Sequence, residues 1–216
     1  MKPYQTLLAE NSDEQIIQKS RFIGYAKPVY TEADALQFLA TIRQKHKDAT
    51  HNCYAYIIGQ NAGIMRYSDD GEPSGTAGMP IIEVLKAQKV VDAIVVVTRY
   101  FGGVLLGAGG LVRAYNSTCA LALRAAQVAT MHPTQTYLCE VTYPLWDKVR
   151  YTLDHLPVRL LCTDFMTSVV FSLQMKEVDE EDVLATLVRI TDGTIETLLE
   201  DSGFSPWIER TADAPL

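Results

Sequence analysis

The chain has little of what metal or disulfide chemistry needs. Its four cysteines, Cys53, Cys119, Cys139 and Cys162, are scattered singly over 216 residues, with no CxxC pair and no histidine at ligand spacing. Cys119 and Cys139 fall in apolar segments, which predicts buried free thiols and a reducing, cytoplasmic setting. The four histidines form no HExxH pattern, so no metal site is expected. No window approaches the about eighteen apolar residues of a membrane helix. The opening MKPYQTLLAENSDEQ carries acids early and no apolar run of signal-peptide length. A soluble chain with no membrane partner follows.

Nucleotide motifs fail as well. Gly102 and Gly107 have P-loop spacing, but Ala108 stands where the lysine must reach the phosphates. A dinucleotide fingerprint begun at Gly107 and Gly109 ends on Val112, and no acid follows at about twenty residues. Ser74 lies in Glu-Pro-Ser-Gly, not in a GxSxG elbow. No cofactor is therefore expected.

What the chain has is glycine in one place. Eight of its 13 glycines lie in residues 67–115, as Gly71, Gly75 and Gly78, then Gly102, Gly103, Gly107, Gly109 and Gly110. Clusters of this kind lower the steric barrier to positive φ and to close approach. They predict a surface of main-chain amides, which at a helix N-terminus favours an anion. Charge is unevenly spread. Residues 1–135 hold 13 Lys+Arg against 11 Asp+Glu, net +2, and residues 136–216 hold 6 against 15, net −9. Halves so unlike predict two domains, 1–131 and 136–204, of which the first accepts a polyanion locally and the second repels one.

The periodicities predict an α+β class. Residues 15–29 read as one extended segment, and Thr31 as the N-cap of a helix buried along Leu36, Leu39 and Ile42. Residues 53–58 and 64–67 read as a hairpin, and Pro80 as the first position of a helix. The continuously apolar 92–98 is a central strand, and 111–126 a helix. The expected first domain is a sheet with two long helices. His132-Pro133-Thr134-Gln135 reads as a linker. Beyond it the pattern is βαββαβ, a ferredoxin-like domain, with a turn near Asp164 and a helix closed by Gly193.

Two groupings carry chemistry. Arg99-Tyr100-Phe101 places a cation beside two rings next to flexible backbone, as single-stranded nucleic acid requires. Ser68-Asp69-Asp70-Gly71-Glu72 holds three carboxylates in four residues, and His51 begins the strand expected to pair beside them. Those groups suit acid–base work or a cation, although Asp and Gly are also ordinary turn residues.

The runs DDGEPSGTAGMP, VVVTRYFGG and LGAGGLVRAY resemble the signature of the YigZ/Impact family. Ser20-Arg21-Phe22 and His51-Asn52-Cys53-Tyr54-Ala55-Tyr56 resemble it too. The resemblance covers residues 1–130, and the second half matches by pattern only. It implies a first domain of the ribosomal protein S5 domain 2-like type, similar to domain IV of elongation factor G, and a second similar to that factor's domain V. It also implies a link to translation through RNA, the ribosome or a protein partner of the translation machinery. Some homologues carry a proline dipeptidase label, whose metal-ligand set is missing here. The positions it marks are Arg21, His51, Asp69, Asp70, Glu72, Ser74, Thr76, Arg99, Tyr100, Phe101 and the glycines 102, 103, 107, 109 and 110; Arg113 joins them from the charge at the helix start. The expectation is a non-catalytic protein binding RNA or the ribosome. The alternatives are a small hydrolase using His51 with Asp69, Asp70 or Glu72, and a protein-interaction module.

Overall fold

The computed structural model describes residues 1–207. The tail beyond Trp207, expected to fray, lies outside the described residues. The chain forms two compact units, Tyr4–Thr130 and a second from Met131 onward that also takes in Met1–Pro3.

In the first unit, strands β2 (Asn11–Ile17), β3 (Ser20–Pro28), β4 (His51–Ile58), β5 (Ile64–Ser68) and β6 (Ala93–Tyr100) form one sheet in the order β2-β3-β6-β4-β5, antiparallel throughout. A short strand, β1 (Tyr4–Leu7), precedes them. The helices are α1 (Glu32–Lys45), α2 (Gly78–Ala87) and α3 (Gly107–Ala126).

β6 is central because its apolar run has two faces to bury. Val95 and Val97 point into the core shared with α2 and α3, while Ile94 and Val96 point into a second core under α1. The pair α2 and α3 thus covers one face, and α1 covers the other. Each such side chain contributes about 1.5–3 kcal/mol by leaving water. The contact between α3 and β3 is close: a Cβ on Gly24 would sit 2.7 Å from the Thr118 carbonyl oxygen and 2.9 Å from the Ala122 Cβ.

Several local expectations need correction. Residues 15–29 are not one strand but the β2–β3 hairpin, turning at Gln18 and Lys19 with φ of 45° and 67°. That turn needs positive φ twice, and its sequence lacks the Asn-Gly signal that announces such turns. Helix α2 begins at Gly78, so Pro80 lies in the first turn rather than opening it. Helix α3 begins at Gly107, four residues before the apolar stripe.

The second unit contains β7 (Val128–Val141), α4 (Tyr143–Leu153), β8 (Val158–Phe165), β9 (Val169–Lys176), α5 (Glu180–Ile190) and β10 (Glu196–Pro206). The strand order is β10-β7-β9-β8, antiparallel throughout, which is the fourth-first-third-second order of a ferredoxin-like βαββαβ sheet. Tyr137, Cys139, Phe171 and Leu173 pack under Val149 and Leu153 of α4 and Val183 and Leu187 of α5.

His132–Gln135 is not a linker. It lies inside β7 and pairs with β10, Pro133 standing opposite Phe204. Pairing with β9 begins only at Thr134. Pro133 therefore lies just before the β9 ladder and has no partner on that strand. Asp164 is in β8 rather than in a turn, which falls at 166–168.

Candidate functional site

The motif residues gather where β6 ends, but most of their polar atoms face one another. Antiparallel pairing sets His51 of β4 opposite Arg99 of β6, and Phe22 of β3 opposite Arg99 on its other side. Arg99 is only 5% exposed. Its Nη1 donates to Glu72 Oε1 at 2.7 Å, and Nη2 reaches the Ser20 hydroxyl at 3.4 Å. The guanidinium carbon lies 5.3 Å and 5.5 Å from the ring centres of Phe22 and Phe101. Nε is buried with no hydrogen-bond partner among the described residues. The sequence placed Arg99 among surface contacts for nucleic acid. It is instead a buried cation whose counter-charge comes from the acidic loop.

Glu72 is equally enclosed. Its Oε1 also accepts from the Tyr115 hydroxyl of α3 at 2.7 Å, and its Oε2 lies 3.8 Å from His51 Nε2. His51 Nδ1 lies 2.8 Å from the Asp70 carbonyl oxygen, so Nδ1 carries a proton. The Cys53 thiol lies 2.9 Å from the Asp69 carbonyl oxygen, to which it donates, and 3.3 Å from the Tyr115 oxygen. Burial raises the pKa of both Cys53 and Tyr115, leaving thiol and phenol protonated.

The other two loop carboxylates hold backbone. Asp69 Oδ1 accepts from the amides of Ala77 and Gly78 at 3.0 and 2.8 Å, and Oδ2 from Gly75 at 2.9 Å. This fixes the loop and satisfies orphan amides at the start of α2, whose N-cap Ala77 has no capping side chain. Asp70, at φ of 46°, accepts from Arg43 at 2.6 Å and from the Asn52 amide at 2.7 Å. Thr76 donates to the Pro73 carbonyl at 2.7 Å. Ser74 is exposed. Of the hydrolase candidates, His51 and Glu72 face each other, whereas Asp69 and Asp70 are bound to the protein frame. Among the described residues, no group of three His, Cys, Asp or Glu side chains is arranged to hold a metal ion.

The outer rim is different. After β6, Phe101 is 45% exposed, and its amide donates to Thr50 Oγ1 at 3.0 Å. Gly102 follows where nothing larger fits: a Cβ there would lie 2.0 Å from the Lys19 carbonyl carbon. Gly103 turns the chain at φ of 82°. Gly107, Gly109 and Gly110 then form the first turn of the 20-residue α3, whose N-cap Leu106 supplies no side-chain cap. Arg113, one turn further, is exposed with no ion-pair partner among the described residues. Arg21 is exposed but paired with Glu14 at 2.6 Å, over the Tyr100 ring at 6.0 Å. The Tyr100 hydroxyl lies 2.8 Å from His46 Nδ1, and Tyr25 holds His46 Nε2 at 2.7 Å. Sequence reasoning did not assign roles to Ser20, Arg43 or Tyr115. Ser20 and Tyr115 carried a signal, Ser20 in its place beside Arg21-Phe22 and Tyr115 at the end of the LGAGGLVRAY run.

A three-layer first unit with a glycine-flanked rim, joined to a ferredoxin-like second unit, defines a two-domain α+β protein whose motif density lies wholly in the first domain. Residues 18–123 match the Impact N-terminal domain. The chain is 37% identical over 190 residues to the IMPACT family member YvyE of Bacillus subtilis, covering 88% of each chain. It is 31% identical over 184 residues to the IMPACT family member YigZ of Escherichia coli, covering 84% of this chain and 90% of the other. A solved structure titled as the crystal structure of a hypothetical protein aligns with a TM-score of 0.59 and 29% identity, over 93% of this chain and 98% of that one. The chain belongs to the IMPACT family. Among the described residues, no helix is long and apolar enough to cross a membrane.

Proposed function

We propose that this protein binds RNA or the ribosome through the rim formed by Phe101, the 102–110 segment and Arg113, in a role linked to translation and without catalysing a reaction. The observation that carries this reading is the uncapped N-terminus of α3, exposed beside an accessible ring and an unpaired cation. Amides and helix dipole favour a phosphate there, the ring offers a base a stacking face, and Arg113 adds charge. The translation link rests on family resemblance. Arg99 is outside this surface, so its removal reports on folding and not on contact.

The test is affinity for a short single-stranded RNA and for ribosomes across a salt series. Phe101→Ala is expected to weaken RNA binding by about 1–3 kcal/mol. Arg113→Ala is expected to flatten the salt slope by about one unit. No binding to either at low salt sinks the reading. A second reading, a protein partner at the same rim, is favoured by Leu105 and Val104, 85% and 37% exposed. Leu105→Asp abolishing capture of a protein while leaving RNA affinity unchanged would select it.

A further inference from the structure

The second unit buries one face of its sheet under α4 and α5. The opposite face follows from register, because residues directly opposite on neighbouring strands point the same way. One cross-strand row reads Glu196, Glu140, Val170, Asp164 from β10 to β8, and the row beside it reads Leu198, Leu138, Ser172, Cys162. Further along the same face come Thr136, Gln174 and Arg159, then Thr134 and Lys176, where Thr134 and Thr136 are buried and both cations lie over the Trp207 ring. Glu196 and Glu140 are therefore like charges placed directly opposite each other, an arrangement that costs stability. No ion pair neutralises Glu140, Asp164 or Glu196 among the described residues; Glu140 accepts only the Ser168 hydroxyl. Glu200 lies on the same face, within 3.4 Å of the Ser172 hydroxyl. Leu198, next to this row, is 66% exposed. At this end of the face two leucines stand beside carboxylates with no ion-pair partner among the described residues, an arrangement that repels phosphate, whereas Arg159 and Lys176 lie at the other end. The complement of the leucine end is a chain that brings cations and aliphatic groups together.

We infer that the exposed end of this sheet face, from Glu196 and Leu198 to Asp164, docks a Lys/Arg-rich, amphipathic polypeptide segment of a protein partner. The aliphatic side chains of that segment cover Leu198 and Leu138, and its cations meet the Glu196–Glu140 pair and Asp164. The proposal is independent of the RNA reading, which concerns the first unit, and the unpaired charge is relieved only when the partner is bound.

The test uses the full chain and a fluorescent peptide of alternating Lys and Leu, with an Asp/Leu peptide as control. Wild type is expected to bind the Lys/Leu peptide in a salt-sensitive way and to ignore the control. Glu140→Lys with Glu196→Lys is expected to weaken binding about tenfold or more, and Leu198→Ser to weaken it severalfold. Glu181→Lys with Asp182→Lys makes the same change of net charge on exposed positions of α5 and is expected to leave affinity unchanged. Glu196→Lys alone, which sets opposite charges face to face, is expected to raise the melting temperature while lowering affinity. Equal losses in the two double variants would reduce the effect to net charge and overturn the proposal, as would no preference for the basic peptide. An RNA affinity unchanged in Glu140→Lys with Glu196→Lys separates this face from the α3 rim.

Discussion

Arg99 and Glu72 in the first unit, and Glu140 and Glu196 in the second, are opposite uses of charge. The first two lie in the motif-dense half and neutralise each other out of water, 2.7 Å apart. The second two lie in the half without motifs and are exposed, with no ion-pair partner among the described residues. Residues that announce themselves in a sequence are here largely consumed by the frame. Asp69 holds three amides, Asp70 an arginine and an amide, and Gly102 makes room for a neighbouring strand's start. Motif density marks a demanding local structure, and the surface left over from that structure is smaller than the motif.

The strongest way to break this comparison is to remove Arg99. Arg99→Ala leaves the Glu72 carboxylate buried without its counter-ion, which is expected to cost about 3–5 kcal/mol of stability. Adding Glu72→Gln removes the stranded charge and should restore a large part. Glu140→Gln on the exposed face should change stability by no more than about 0.5 kcal/mol. Urea denaturation of the three variants measures all of this. A mild Arg99→Ala would mean that water reaches the pair, and the contrast between inward and outward charge would go with it.

A smaller effect belongs to Asp69. Its carboxylate takes three backbone amides of the loop and the α2 start, so Asp69→Ala should cost about 2–3 kcal/mol. Hydrogen exchange sharpens the point, since the amides of Gly75, Ala77 and Gly78 should lose protection before the rest of α2. Uniform loss of protection across the unit would show that the carboxylate acts through charge alone.

How much of this was legible in the sequence depends on period. The central β6 was readable from its continuous apolar run, and α1 and the βαββαβ order from the periodicity of buried faces, although the buried side of α1 is Ala35, Phe38, Leu39 and Ile42, and Leu36, expected in that stripe, is exposed. The β2–β3 turn was not readable, because Gln18-Lys19 adopts positive φ without glycine or asparagine. The β7 strand through Pro133 was missed because proline argues against a strand until one knows that β9 does not yet pair there. At the site, the nearness of His51 to the acidic loop followed from the hairpin. The burial of Arg99 did not, since nothing local shows that α3 returns Tyr115 over Glu72, 43 residues away in the chain. Side-chain direction at a strand end is set by distant packing, and Arg-Tyr-Phe reads the same whether it faces solvent or a carboxylate.

The smallest effect concerns His46, which sits between two tyrosine hydroxyls with Lys45 and Arg21 nearby. Burial, then these two cations, lowers its pKa below the ordinary 6.5. The sign follows from linkage. In the unfolded chain the imidazole takes its proton near pH ~6.5, whereas in the folded chain it resists until lower pH. Between those values the unfolded state binds more protons, so stability falls on acidification and is fully present above the unfolded value. One ring nitrogen must donate and the other accept, so His46→Gln retains one donor and one acceptor for Tyr25 and Tyr100 while removing the titration. Wild type should exceed this variant in stability by most near pH ~8, with the margin shrinking toward pH ~5.5. Thermal unfolding of both across that range is the measurement. A margin that stays constant, or widens on acidification, would show that His46 takes its proton as readily in the fold as outside it, and that this inward-facing group behaves like a surface one.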